Sequence, residues 1–119
     1  TSWNARALIS SVPALATMRE NLLRKFVLDY DMIALQETHG NSISAKKVIG
    51  INNKTHAGYF SGHSDQSIGG CILSVRHRLL GLGKQTEHIN ILPRRAHIVR
   101  VSLGGVSLTC VNIHNEALN

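Results

Sequence analysis

Acidic residues are scarce in this chain. Asp plus Glu number 7 against 13 Lys plus Arg in 119 residues, a formal net charge of +6 with His neutral. That balance excludes an acidic, solvating tail and suits an acidic partner, nucleic acid first. Aromatic residues are also few: one Trp, two Tyr and two Phe. They offer little material for stacking bases. Two cysteines, Cys71 and Cys110, are too few for a disulfide framework or a cysteine metal site. Both sit in apolar, strand-like segments and read as buried thiols outside any disulfide, which favours a reducing compartment. No apolar run approaches the roughly 18 residues of a membrane span. The longest relevant run is Met32-Ile33-Ala34-Leu35. No basic segment followed by an apolar stretch opens the chain at Thr1, so no signal peptide is visible. An intracellular location, nuclear or cytoplasmic, with no membrane partner is the expectation.

What is present is an ordinary globular composition. The apolar fraction is 43%, enough for a core and too much for a disordered tail. The length fits one small domain. Residues 1–8 are short enough for a strand. Pro13 then suits a first helical turn, where its missing N–H costs nothing. Leu15, Met18, Leu22, Leu23, Phe26, Val27 and Tyr30 recur at three- and four-residue steps. The spacing predicts an amphipathic helix of about four turns. Thr17 and Glu20 also have capping-box spacing and offer a later start. The segment 31–38 then carries continuous apolar residues, the pattern of a strand buried on both faces. Strand, helix and strand make one βαβ unit. Gln36, Glu37, Thr38 and His39 cluster at its end, where sites form in parallel sheets.

From Gly40 the character changes. Residues 41–54 read as loop with a helical turn around 44–48. Short strands are predicted at 57–61, 70–76, 96–103 and 106–113, with Gly104-Gly105 as a hairpin signal. The pattern is a mixed α+β sheet.

Four stretches together resemble the N-terminal half of the endonuclease/exonuclease/phosphatase superfamily. They are most similar to the apurinic-type endonuclease domains of LINE-like retrotransposons. Ser2-Trp3-Asn4-Ala5-Arg6-Ala7-Leu8 resembles the first strand, which ends near an active-site Asn. Residues 31–39, with Gln36-Glu37-Thr38-His39 at their end, resemble the second strand and the metal-binding Glu. Ser67-Ile68-Gly69-Gly70-Cys71-Ile72-Leu73 resembles the glycine pair that opens a later strand. Residues 94–101, beginning Arg94-Arg95, and 108–115, with Asn112-Ile113-His114-Asn115, resemble the last strands of the first sheet. The order and spacing match over essentially the whole chain.

The resemblance implies half of a two-sheet, helix-flanked sandwich, here one mixed sheet with one main helix. It also implies a phosphodiester or phosphomonoester substrate and a Mg²⁺ or Mn²⁺ ion. Residues 1–119 correspond to the N-terminal part of a single such domain. An Asp-x-Asn motif, a further Asp and an Asp-His pair are expected beyond it, in a C-terminal half that this chain lacks. The catalytic set implied here is Asn4, Glu37, Asn112 and His114, with Glu37 as the metal ligand. Mg²⁺ commonly takes only one or two carboxylates and keeps its waters. Without the resemblance, Glu37 reads as a solvated carboxylate past a strand, and Asn4 and Asn112 read as structural. His114 stands where the family usually has a Tyr close to the phosphate. A His there can hydrogen-bond a phosphate and, protonated, neutralise charge, but it is not equivalent to Tyr.

His39, His56, His63, His77, His88 and His97 show no ligand spacing and read as surface or edge-strand residues, with His39 notable for its closeness to Glu37. Arg76, Arg78, Arg94 and Arg95 form the densest basic groups, able to contact phosphates or simply to be solvated. The expected function is a metal-dependent endonuclease in complete form, inactive as this piece, with DNA favoured over RNA. The alternatives are a non-catalytic basic nucleic-acid-binding remnant and a small phosphate-ester phosphatase of the same fold. A half-sandwich leaves an inner apolar face open, so self-association through that face is expected.

Overall fold

A computed structural model of the chain describes residues 1–5, 9, 12–62, 69–80, 86–92, 95–103 and 106–114. The elements run β1 (Ser2–Asn4), α1 (Pro13–Leu28), β2 (Met32–Gln36), α2 (Ser42–Gly50), β3 (His56–Ser61), β4 (Cys71–Arg76), α3 (His77–Leu80), β5 (Thr86–Leu92), β6 (Ala96–Leu103) and β7 (Val106–Ile113). Four strands form a mixed sheet in the order β1-β2-β4-β3, and three form an antiparallel sheet in the order β5-β6-β7. The fold class is the expected α+β half-sandwich.

Two features place the site. β1 and β2 are parallel, with Asn4 beside Gln36. β4 runs antiparallel to β2, with Cys71 beside Gln36 and Val75 beside Met32. The carboxyl ends of β1 and β2 and the amino end of β4 therefore share one edge of the first sheet. In the second sheet Ala96 pairs with Ile113, which puts the start of β6 and the end of β7 at one edge as well.

β2 is covered on both faces, as its unbroken apolar run predicts. Ile33 and Leu35 join Leu23 and Val27 of α1, Val48 of α2 and Ile72 of β4 in one buried cluster. On the other face, Met32 and Ala34 pack with Leu73 and Val75 against Val99 and Cys110 of the second sheet. Each fully buried Leu, Ile or Val contributes roughly 1.5–3 kcal/mol through its lost water contact. Pro13 opens α1 without a side-chain cap, as its sequence position suggests.

The structure differs from the sequence reading in three respects. The strands divide between two facing sheets rather than forming one, because β5, β6 and β7 pair only with each other. Residues 42–50 form a true helix, opened by a capping box in which Asn41 and Ser44 bond each other reciprocally. β5 was not foreseen. His88 and Ile89 are partly buried and Ile91 and Leu92 are exposed; Ile89 and Ile91 alternate about Asn90, a stretch too short to mark a strand by itself. The glycine pair at 104–105 and the motif residues 6–8, 67 and 68 lie outside the described residues. No helix among the described residues is long and apolar enough to cross a membrane.

Candidate active site

Glu37 is the first residue past β2. Strict strand alternation would turn it toward the helices with Ile33 and Leu35. Its backbone is instead left-handed, at φ 54°, and His39 follows at φ 59°. Such a conformation costs a non-glycine residue of order 1–3 kcal/mol and persists only where neighbours enforce it. The enforcement comes from β4's entry: Thr38 N–H donates to Gly70 O at 3.1 Å and His39 N–H to Gly69 O at 2.9 Å. Gly70, at φ 87°, packs so closely that a Cβ there would lie 2.7 Å from Thr38 Oγ1. The glycine pair is thus the clamp that re-aims Glu37.

The Glu37 carboxylate consequently meets the second sheet. Oε1 lies 3.3 Å from Nε2 of His114, the first residue past β7. The His114 side chain is 11% exposed and the Glu37 side chain 28%. His114 is anchored by its backbone N–H, which donates to Arg95 O at 2.7 Å. Its Nδ1 and the Nε of Arg95 are both buried without a hydrogen-bond partner in the protein. Unpaired buried polar atoms cost about 1–3 kcal/mol each.

Asn4 sits at the carboxyl end of β1, beside Gln36 in register and exposed. Asn112, by contrast, is 1% exposed. Its Nδ2 donates to Leu35 O at 3.2 Å and Ile72 O at 3.0 Å and lies 3.0 Å from His97 Nε2. Its Oδ1 accepts from Gln36 Nε2 at 2.7 Å. The Asn112 amide is wholly engaged inside the protein.

The arginines separate. Arg95 stands at the site's edge through its carbonyl. Arg76 ends β4 and Arg78 lies in α3, at the opposite end of the first sheet, about 20 Å from Glu37 at the rise of a strand. Both bond Asp31, at 2.7 and 2.6 Å. Partial burial alone would raise the Asp31 carboxyl, but the Arg78 and Arg76 hydrogen bonds and charges hold it below its ordinary value. Arg76 also donates to Leu28 O at 2.8 Å, closing the end of α1. Arg94 and Asn115 lie outside the described residues.

Two histidines expected at the surface or an edge are interior. His56, on edge strand β3, is 2% exposed and bonds Tyr30 O at 2.8 Å. His97, on the central strand β6, is fully buried. Gln36, from the polar cluster at the end of β2, and His97, expected at the surface or an edge, both meet Asn112 in the interior. Alternation in 96–101 puts His97 on one face with Val99, and that was the available signal. Burial pushes the Cys71 thiol up to about 11, so it is no nucleophile at neutral pH.

The donor set can be tested against a metal. Among the described residues no group of three His, Cys, Asp or Glu side chains converges. That set does not suit zinc, which takes four ligands in structural sites and three in catalytic ones. It does suit a hard cation held by one carboxylate and water. His114 faces one Glu37 oxygen, the other oxygen is available, and Asn4 ends the adjacent strand.

No family model matches the chain, and no curated protein does. Solved structures do. Tyrosyl-DNA phosphodiesterase 2 (TDP2) from Caenorhabditis elegans matches at a TM-score of 0.64 and 21% identity, over 98% of this chain and 34% of that one. A truncated form of it matches at 0.64 and 20%, over 98% and 45%. TDP2 from D. rerio, complexed with a single-strand DNA product, matches at 0.58 and 14%, over 98% and 46%. The chain thus spans between a third and a half of the length of these neighbours. The chain shares its fold with these structures.

Proposed function

We propose that these residues carry part of the site of a metal-dependent phosphodiesterase acting on nucleic acid, with DNA preferred to RNA. The observation that supports this best is the Glu37–His114 contact at 3.3 Å, made across two sheets by a strained, re-aimed carboxylate. A solvated Glu past a strand has no use for a left-handed backbone clamped by two glycines. The D. rerio neighbour with bound single-strand DNA product adds weight to DNA as the substrate. In this reading the 119 residues form the N-terminal part of one catalytic domain. The finer likeness to retrotransposon-type apurinic endonucleases rests on motif order alone.

Glu37 would hold Mg²⁺ or Mn²⁺ through the oxygen that His114 leaves available, and Asn4 would steady the ion's waters through its amide. When bound, the ion supplies charge for the phosphate and a more acidic water. His114 has a different task. Its Nε2 faces one Glu37 oxygen and so orients the carboxylate, leaving the other oxygen for the ion. Asn112 touches no substrate and acts by position.

The test is cleavage of a single-stranded DNA oligonucleotide with Mg²⁺ by the complete protein of which these residues form the N-terminal part. Glu37→Gln keeps size and removes charge. It is expected to lower kcat by about a hundredfold or more, the scale of losing a group that stabilises transition-state charge, with the far-ultraviolet spectrum unchanged. Equal cleavage by both forms rejects the assignment of Glu37. Salt-dependent binding without cleavage by the wild type makes the chain a nucleic-acid-binding module instead.

A further inference from the structure

We propose that Gln36, Asn112 and His97 form a one-way hydrogen-bonded strut between the two sheets, and that it positions Glu37 and His114. The inference takes from the phosphodiesterase reading only what that pair does. How the pair is held follows from interior geometry.

The direction of every bond in the strut is set by two backbone carbonyls. Leu35 O and Ile72 O both face one end of the Asn112 amide, at 3.2 and 3.0 Å. A carbonyl oxygen cannot donate, so that end must be the NH₂. The same Nδ2 lies 3.0 Å from His97 Nε2. The two amide hydrogens are shared among these three contacts, and a ring N–H aimed at the NH₂ would set donor against donor, so Nε2 accepts and the ring proton sits on Nδ1. His97 Nδ1–H then donates to His88 Nε2 at 3.0 Å. On the other side, Asn112 Oδ1 accepts from Gln36 Nε2 at 2.7 Å. At the β1 end Ser2 Oγ faces both Gln36 Oε1 at 3.2 Å and Gln36 Nε2 at 3.0 Å. From Gln36 on, donors point one way, from β2 through β7 and β6 to β5, an arrangement in which each bond polarises the next.

The strut joins the residues beside the site. Gln36 immediately precedes Glu37, and Asn112 shares a strand face with His114 two positions on. Their 2.7 Å bond therefore fixes how far the end of β2 stands from the end of β7, the gap the Glu37–His114 contact spans. Apolar side chains could fill the same volume without fixing a distance. Burial, reinforced by the neighbouring His88, pushes His97 down to about 4, which keeps the ring neutral as the strut requires.

The experiment has two arms on the full chain. Ring ¹⁵N spectra at neutral pH are expected to show His97 protonated at Nδ1 and bare at Nε2. In Asn112→Asp, two oxygens would face the carbonyls and the ring, and Nε2 is expected to take up a proton. The kinetic arm uses Gln36→Leu, expected to lower kcat on single-stranded DNA about tenfold or more with KM changed less than threefold. A wild-type His97 protonated at Nε2 overturns the strut, as does Gln36→Leu with wild-type kcat. If the wild type cleaves no phosphodiester, the functional reading fails, and the ring spectra still decide for or against the strut.

Discussion

Acidification should weaken this fold through His97. Burial first, and the nearby His88 second, lower the ring from its ordinary 6.5 to about 4. The unfolded chain takes the proton at about 6.5, whereas the folded chain resists it until about pH 4. The neutral ring's contribution is therefore fully present above the unfolded value and is lost as pH falls from 6.5 toward 4. At about 1.4 kcal/mol for each tenfold difference in proton affinity, the loss comes to about 3 kcal/mol. That is a large part of the 5–15 kcal/mol or so that holds an ordinary domain. The assay is equilibrium urea unfolding at about pH 7.5 and about pH 4, for wild type and His97→Gln. Gln does not titrate, so the wild type should lose about 3 kcal/mol more than the variant over that interval. Equal losses would refute the reasoning, because the ring would then be accepting its proton in the folded state without penalty.

The second sheet covers the inner face that the sequence reading left open, so the other perturbations separate the clamp, the far end of the first sheet and the exposed apolar residues of the second. Gly70→Ala forces a Cβ to within 2.7 Å of Thr38 Oγ1 at φ 87°; it should destabilise by about 1–3 kcal/mol and depress DNA cleavage, and unchanged melting and turnover would dismiss the clamp. Arg76→Ala removes the Asp31 and Leu28 bonds at the opposite end; it should lower Tm while leaving kcat within about twofold, and a selective loss of kcat would place Arg76 in the site after all. Ile91, Leu92, Val111 and Ile113 are 55%, 49%, 50% and 60% exposed, so the 119-residue chain should self-associate in sedimentation experiments as concentration rises. A single monomeric species at high concentration would contradict that expectation.

The legible parts of the fold were those in which local pattern and burial agree. Leu23 and Val27 recur with helical spacing, and α1 buries that face. The run Met32–Leu35 has no polar side, and β2 is covered on both. β6 and β7 alternate and pair in the register their hairpin implies. What was not legible depends on partners far along the chain. β5 turns a histidine rather than an aliphatic residue toward the interior, so its strand character comes from pairing with β6. α2 was legible only as a helical turn around 44–48; its full extent, Ser42–Gly50, follows from the capping box of Asn41 and Ser44. Division into two sheets is a long-range choice that no window of the sequence records. At the site, Glu37 and His114 were both readable from motifs, but their 3.3 Å contact joins residues 37 and 114 of the chain. His97 was hidden for the opposite reason: a polar residue on an apolar strand face resembles an edge exception unless its buried partner is known.

The most direct test of the account is where a divalent cation binds. Mn²⁺ added to the ¹⁵N-labelled full chain broadens resonances near it through its unpaired electrons. The account predicts broadening centred on Glu37, reaching Asn4 and His114, displaced by excess Mg²⁺ and abolished in Glu37→Gln. Broadening centred elsewhere, or unchanged in that variant, would contradict the claim that the re-aimed carboxylate is the metal-holding group of a phosphodiesterase site.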